Sequence, residues 1–153
     1  MQALELKVPP VAVVLCIAAL MWLASWALPA FAFAIPGRKF ISLGMAVAGV
    51  VISGSGVLSF RRARTTVNPL KPESATVLVK SGIYLLTRNP MYLGLLVILL
   101  GWAVFLANAA AFVFLPAFIW YMNRFQIEPE ERALAVLFGK EFASYKSCVR
   151  RWL

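Results

Sequence analysis

Ser81-Gly82-Ile83-Tyr84-Leu85-Leu86-Thr87-Arg88-Asn89-Pro90-Met91-Tyr92-Leu93-Gly94 is where a polar segment turns into a long apolar run. Asn89-Pro90 reads as a helix start, an N-cap side chain followed by proline at the first helical position. From Met91 to Leu106 no charged side chain interrupts the run. The helix therefore belongs in lipid, with its N-terminus at the membrane surface. Unpaired N–H groups and the positive dipole end suit a carboxylate or phosphate there. Arg88 adds a full charge, and Tyr84 and Tyr92 offer ring faces and hydroxyls. Arg and Tyr are also common interfacial anchors, and composition alone favours that plainer role.

The rest of the chain agrees with lipid. It has 153 residues, 62% of them hydrophobic and 14% charged, which describes one polytopic membrane domain and not a soluble globule. Mean hydropathy is +0.84. The expected class is all-α, with spans at about 11–28, 40–60, 90–107 and 109–125, a loop over 61–89, and an amphipathic cytoplasmic helix over 129–147. The first run ends in Ala-x-Ala sequences resembling a cleavage site, but Glu5 and the lack of a basic cluster favour a retained span. Pro36-Gly37-Arg38-Lys39 is a turn. Gly44, Ala48, Gly49, Ser53, Gly54 and Gly56 give the second span small residues for close helix packing. Packing also explains Gly54-Ser55-Gly56 better than a Gly-x-Gly cofactor element does. Ala107-Asn108 is so short a link that the flanking runs must form an antiparallel hairpin. Pro116 should kink the second arm.

Charge sets orientation. The formal net charge of +9 reads as loops facing anionic lipid, with no nucleic-acid partner. Of fifteen basic residues, only Arg38 and Lys39 fall opposite the others in a four-span topology. Both ends are then cytoplasmic, and the localisation expected is a multi-pass protein of the bacterial cytoplasmic membrane. Beyond Ile127, Pro129 disfavours helix at Glu128 and starts a new one. Leu134, Leu137, Phe138, Phe142 and Tyr145 then share one helix face, while Lys140, Lys146, Arg150 and Arg151 are free to face headgroups. Glu130 and Glu131 suit a helix's first turn on dipole grounds alone. The chain has no His and no Asp, which excludes a Ser-His-Asp triad, a His-containing zinc site and an EF-hand. No metal is expected. Cys16 and Cys148 do not suggest a disulfide framework.

Gly82-x-Tyr84-x-x-x-Arg88-Asn89-Pro90-Met91-Tyr92-x-Gly94 does not stand alone. Glu130-Glu131 follows the later helix, then Leu137-Phe138-Gly139-Lys140-Glu141-Phe142-x-x-Tyr145 and Arg150-Arg151-Trp152. This ordered pair of motifs, within residues 65 to 152, resembles the isoprenylcysteine carboxyl methyltransferase and phospholipid methyltransferase superfamily. The resemblance implies an integral-membrane enzyme using S-adenosylmethionine, with the bilayer as its setting and a lipophilic methyl acceptor. It places cofactor contacts at Gly82, Tyr84, Arg88, Asn89, Pro90, Tyr92, Gly94, Glu130 and Glu131. Arg124, matching a family arginine, is the catalytic candidate that binds the acceptor's anionic group. Asn89 stands where the family usually has histidine, so a proton shuttle there is lost although a cap is kept.

Methyl transfer from a sulfonium is an in-line displacement needing alignment and exclusion of water. A carboxylate or thiolate acceptor needs no general base, which suits a chain without His or Asp. A phospholipid amine is the alternative acceptor, and a non-enzymatic membrane subunit with a basic tail is the alternative function.

Overall fold

A computed structural model describes residues 5–63 and 76–153. Its helices are α1 Pro10–Ala27, α2 Arg38–Arg62, α3 Pro90–Leu106, α4 Ala109–Phe112, α5 Phe114–Met122 and α6 Glu128–Cys148. Short 3-10 turns lie at Pro29–Phe31 and Gly82–Leu85. Among the described residues there is no strand beyond a single bridge, Ala32 to Asn108. The all-α expectation holds.

Two helices, α1 with 18 residues and α2 with 25, are long and apolar enough to cross a membrane. Their outer faces carry Trp26 at 77% exposure and Phe40 at 83%, with Leu15, Leu43 and Val51 also open. A soluble protein does not leave such faces uncovered, so this is a membrane protein. The expected third span is a 17-residue helix, and the fourth is broken between α4 and α5. Of the expected 61–89 loop, α2 takes the start as far as Arg62. Residues 64–75, with the Thr65 to Pro69 lead-in, lie outside the described residues.

α3 is the centre of the fold, with α2 on one side and α1 and α5 on the other. The α2 contact depends on small residues. A Cβ on Gly49 would lie 2.5 Å from the Gly94 carbonyl, and one on Gly94 would collide with Ser53. Ser53 Oγ in turn donates to the Met91 carbonyl at 3.0 Å. Gly56 rests on Pro90 and Met91, whereas Gly44 and Gly54 face open space. Close packing is thus what Gly49, Ser53 and Gly56 do.

The hairpin link forms as expected and does more. Ala107 adopts a left-handed conformation that ends α3. Buried Asn108 accepts from the Ala110 N–H at 2.9 Å, capping α4, and donates to the Leu28 carbonyl at 2.9 Å. One side chain therefore ties the end of α1 to the α3–α4 corner. The break expected from Pro116 falls at Val113, because proline has no N–H for the Phe112 carbonyl where α4 ends.

Pro129 corrects the sequence reading. The chain does not leave one helix and start another. It stays helical from Phe114 to Cys148 through a π turn over Asn123–Ile127. Pro129 leaves the Phe125 carbonyl without its usual donor, and the Leu6 N–H fills that place at 3.0 Å. A real bend comes later, at Gly139 with φ 47° and ψ −117°. Two apolar clusters result. One joins α1, α3 and α5 around Leu99, Ala103 and Phe118 and includes Tyr92. The other joins residues 78–84 to α6 around Phe142 and Tyr145. The polar motif residues lie where the two meet.

Candidate functional site

Tyr84, Arg88, Asn89, Tyr92, Glu130 and Glu131 line one cavity of about 90 Å³. The start of α3 brings Arg88, Asn89 and Tyr92, the start of α6 brings the two glutamates, and the 3-10 turn brings Tyr84. Phe60, Leu78, Val79, Leu134 and Phe142 form the apolar remainder of its wall. Tyr92 and Glu130 are 38 residues apart in sequence, and the antiparallel α3–α5 hairpin brings the two motifs back together.

Arg88 is the least satisfied group in the site. Its side chain is 9% exposed, and Nη2 lies 3.1 Å from Glu131 Oε1. Its Nε and Nη1 are buried without a hydrogen-bond partner. Unpaired buried donors on a cation are costly, and Arg88 is one of the residues that line the cavity.

The paired glutamates have opposite environments. Arg151 holds Glu131 through two hydrogen bonds, Nε to Oε1 at 3.2 Å and Nη2 to Oε2 at 2.9 Å. Lys146 Nζ is 3.5 Å away. Burial alone would raise the Glu131 carboxyl, but the Arg151 hydrogen bonds and the Arg88, Arg151 and Lys146 charges hold it below the usual carboxylate range. Glu130 has one hydrogen-bond partner, the Tyr92 hydroxyl, which donates to it. Burial pushes its carboxyl up to about 8, against the pull of that hydrogen bond and with added repulsion from Glu131. Glu131 is therefore an anion, and Glu130 is mostly a neutral acid at pH 7.

The phenols are donors. Tyr145 donates to the Tyr84 carbonyl at 2.7 Å, and burial raises it to about 12, against the pull of Arg88. Tyr84 is raised as well, by burial and then by Tyr145 and Glu130. Its ring meets Phe60 edge-on, with 5.4 Å between centroids.

Several expected roles change. Asn89 occupies the N-cap position but makes no side-chain cap. Its Nδ2 donates to the Arg151 carbonyl at 2.9 Å, and its own N–H goes to Thr87 Oγ1 at 3.2 Å. The amide is used to hold residues 149–152, because those residues lie against it. Pro90 is fully buried under Gly56, and Gly94 serves the α2 contact, so neither borders the cavity. Gly82 makes the positive-φ turn that aims Tyr84 inward, with φ 62°. Arg124 is not brought to the cavity. Its Nη1 is 2.8 Å from Glu5 and 3.9 Å from Glu128, with the guanidinium over the Phe125 ring.

Arg151 and Lys146, expected to face headgroups, turn to Glu131 instead, while Lys140 and Arg150 are exposed. Sequence reasoning also passed over Phe60 and over Glu5, which pairs with Arg124 and Arg132. The Arg150-Arg151-Trp152 run was a visible signal, but not which arginine points inward.

A buried cation with unpartnered donors, a neutral acid and an apolar wall thus share one cavity. Comparison with known proteins supplies the family. The phospholipid methyltransferase family model matches residues 38–141. A probable protein-S-isoprenylcysteine O-methyltransferase of Oryza sativa subsp. indica is 31% identical over 115 residues, which is 75% of this chain and 60% of that protein. The protein-S-isoprenylcysteine O-methyltransferase of Saccharomyces cerevisiae is 35% identical over 79 residues, 52% of this chain and 33% of its own. An uncharacterized protein of Haemophilus influenzae is 49% identical over 63 residues, 41% of this chain and all of that protein. The matches thus span between a third and three-fifths of the two O-methyltransferases' own lengths. No solved structure matches the chain.

Proposed function

The chain belongs to the phospholipid methyltransferase family, and from that premise we propose that it moves a methyl group from S-adenosylmethionine to a lipophilic carboxylate or thiol in the membrane. The observation that carries this reading is Arg88, buried with Nε and Nη1 unpartnered and lining the same cavity as Glu130. An amino-acid headgroup fits both. Its carboxylate would take Arg88 Nε and Nη1, and its ammonium would take Glu130. Phe60, Leu78 and Phe142 offer apolar surface to a nucleoside ring.

Held by Arg88 and Glu130, the cofactor would supply an electrophilic methyl group for an acceptor's lone pair. Glu130 would release its proton to solvent when an ammonium arrives beside it, and so would bind as an anion although it waits as an acid. The apolar wall keeps water from the reacting centre. Tyr84 and Tyr145 hold their protons, and Tyr145 donates its own to the Tyr84 carbonyl.

An acceptor that arrives already ionised suits this set, and two relatives carry the name protein-S-isoprenylcysteine O-methyltransferase. The family model favours a second acceptor, a phospholipid amine. Such an amine would have to lose its proton before attack, to a glutamate or to bulk water. We further propose four spans with both ends on the cytoplasmic face, which puts Arg88 and Glu130 on one side of the bilayer. Arg124, held by Glu5, we assign to anchoring rather than to the acceptor.

The test uses the full chain in detergent. Calorimetry should show S-adenosylhomocysteine binding at micromolar levels. Labelled methyl should then pass to prenyl-cysteine analogues in preference to phosphatidylethanolamine vesicles. No binding by folded protein at millimolar ligand refutes the methyltransferase reading, and transfer to the amine alone selects the second acceptor.

A further inference from the structure

Residues 149–152 are the least expected part of the site. They leave α6 as extended chain, with Val149 at φ −123° and ψ 133°. From there they lie directly on the Arg88-Asn89 motif. The Arg150 carbonyl accepts the Arg88 N–H at 3.0 Å, and the Arg151 carbonyl accepts from Asn89 Nδ2 and, at 3.3 Å, from Thr87 Oγ1. Val149 is buried in the apolar cluster around Tyr145, and Trp152 Nε1 donates to Asn123 Oδ1 at 3.0 Å. Within this segment only one side chain reaches the motif glutamates, that of Arg151, which takes both oxygens of Glu131.

We propose that Arg151 is a positioning residue that keeps Arg88 open for the cofactor's carboxylate, an inference that rests on the methyltransferase reading above. Glu131 sits between two guanidinium groups. Arg151 occupies it side-on with two hydrogen bonds, whereas Arg88 approaches only through Nη2, at 3.1 Å from Oε1. Two hydrogen bonds in a fork are the stronger arrangement for an arginine and a carboxylate. Because Arg151 holds that arrangement, Arg88 cannot also have it, and its Nε and Nη1 remain unpartnered. Without Arg151, Oε2 keeps only Lys146 at 3.5 Å. Arg88 can then turn its own fork onto Glu131, which satisfies both groups and removes the anion site. Glu131 on this view orients Arg88 and does not touch the cofactor, which leaves Glu130 as the carboxylate that binds it.

The experiment compares two ligands in calorimetry on the full chain in detergent, S-adenosylhomocysteine and its decarboxylated counterpart. Arg151→Gln should weaken S-adenosylhomocysteine by about tenfold or more, the scale of one charge-assisted hydrogen bond. It should leave the decarboxylated ligand within about twofold of the wild-type value. Arg151→Lys restores a cation with a single donor direction, so its loss should be intermediate and confined to the same ligand. Should Arg151→Gln fail to fold, the ratio of the two affinities in Arg151→Lys decides the matter. Equal weakening of both ligands means a merely structural residue and overturns the inference. So does unchanged binding of both. Wild-type protein that binds neither ligand refutes the methyltransferase reading itself, a result distinct from the other two.

Discussion

Replacing Glu130 by Gln should stabilise the protein at alkaline pH and at the same time weaken its cofactor binding. Glu130 waits in an apolar wall with the Tyr92 hydroxyl as its hydrogen-bond partner, and its carboxyl stands near 8 against an ordinary 4.5. Between those values the folded chain holds a proton that the unfolded chain has released. The free energy of unfolding therefore falls as pH rises through this window, by about 1.4 kcal/mol per pH unit, and levels off above the folded value. The accumulated cost is on the order of 4 kcal/mol by pH 9. Gln keeps an oxygen to accept from Tyr92 and carries no charge, so the variant lacks this slope. At roughly 3 °C per kcal/mol for a chain of this size, its advantage in Tm should grow by roughly 10 °C between pH 5 and pH 9. Its affinity for S-adenosylhomocysteine should fall roughly 10- to 150-fold, as one charge-assisted hydrogen bond is lost. Thermal unfolding of both proteins in detergent at the two pH values, followed by circular dichroism, measures the first effect, and calorimetry measures the second. Parallel Tm profiles for wild type and Glu130→Gln would refute the reasoning, since they would mean that Glu130 is already ionised and solvated in the folded protein.

Glu131→Gln should behave in the opposite sense, losing about 3 kcal/mol of stability because Arg151 and Arg88 lose their shared anion; the same melts at pH 7 check it. Gly94→Ala should abolish or greatly lower the yield of folded, monodisperse protein, since its Cβ meets α2 backbone 2.8 Å away at Ser53 N, while Gly54→Ala, facing open space, should be silent. Size-exclusion profiles in detergent separate the two. Arg124→Gln should leave S-adenosylhomocysteine affinity within about twofold of wild type, since its partners are Glu5 and Glu128 and not the cavity. In the four-span topology a reporter fused after Leu153 should be active in the cytoplasm and one inserted at Gly37 outside it. A fusion after Leu153 active only on the far side would overturn that topology.

The helices were legible because they depend on local patterning. The apolar runs over 11–28 and 40–60 became α1 and α2, and the Ala107-Asn108 link became the tight corner it had to be. The small residues of α2 announced a close helix contact, though not which of them would make it. Gly49, Ser53 and Gly56 meet α3, and Gly54 does not, because helix rotation is set by the partner's surface. Pro129 misled for a related reason. Proline forbids one backbone hydrogen bond, and whether the chain breaks or widens depends on another donor being at hand. Leu6, far away in sequence, supplies it.

From its residues alone the chain determined an all-helical membrane protein, and it was the resemblance of its two ordered motifs to a known superfamily that singled out Arg88, Tyr92, Glu130 and Glu131. Hydropathy and motif spacing carry that much, because they act within a few turns of chain. Which groups find one another was decided by the tertiary structure. Glu131 takes Arg151 and Glu130 does not, Asn89 turns from its cap to the Arg151 carbonyl, and Glu5 rather than the cavity receives Arg124. A charged or amide side chain binds whichever complementary group packing leaves within about 3 Å. That choice rests on how helices distant in sequence are turned toward each other, and no local pattern records it.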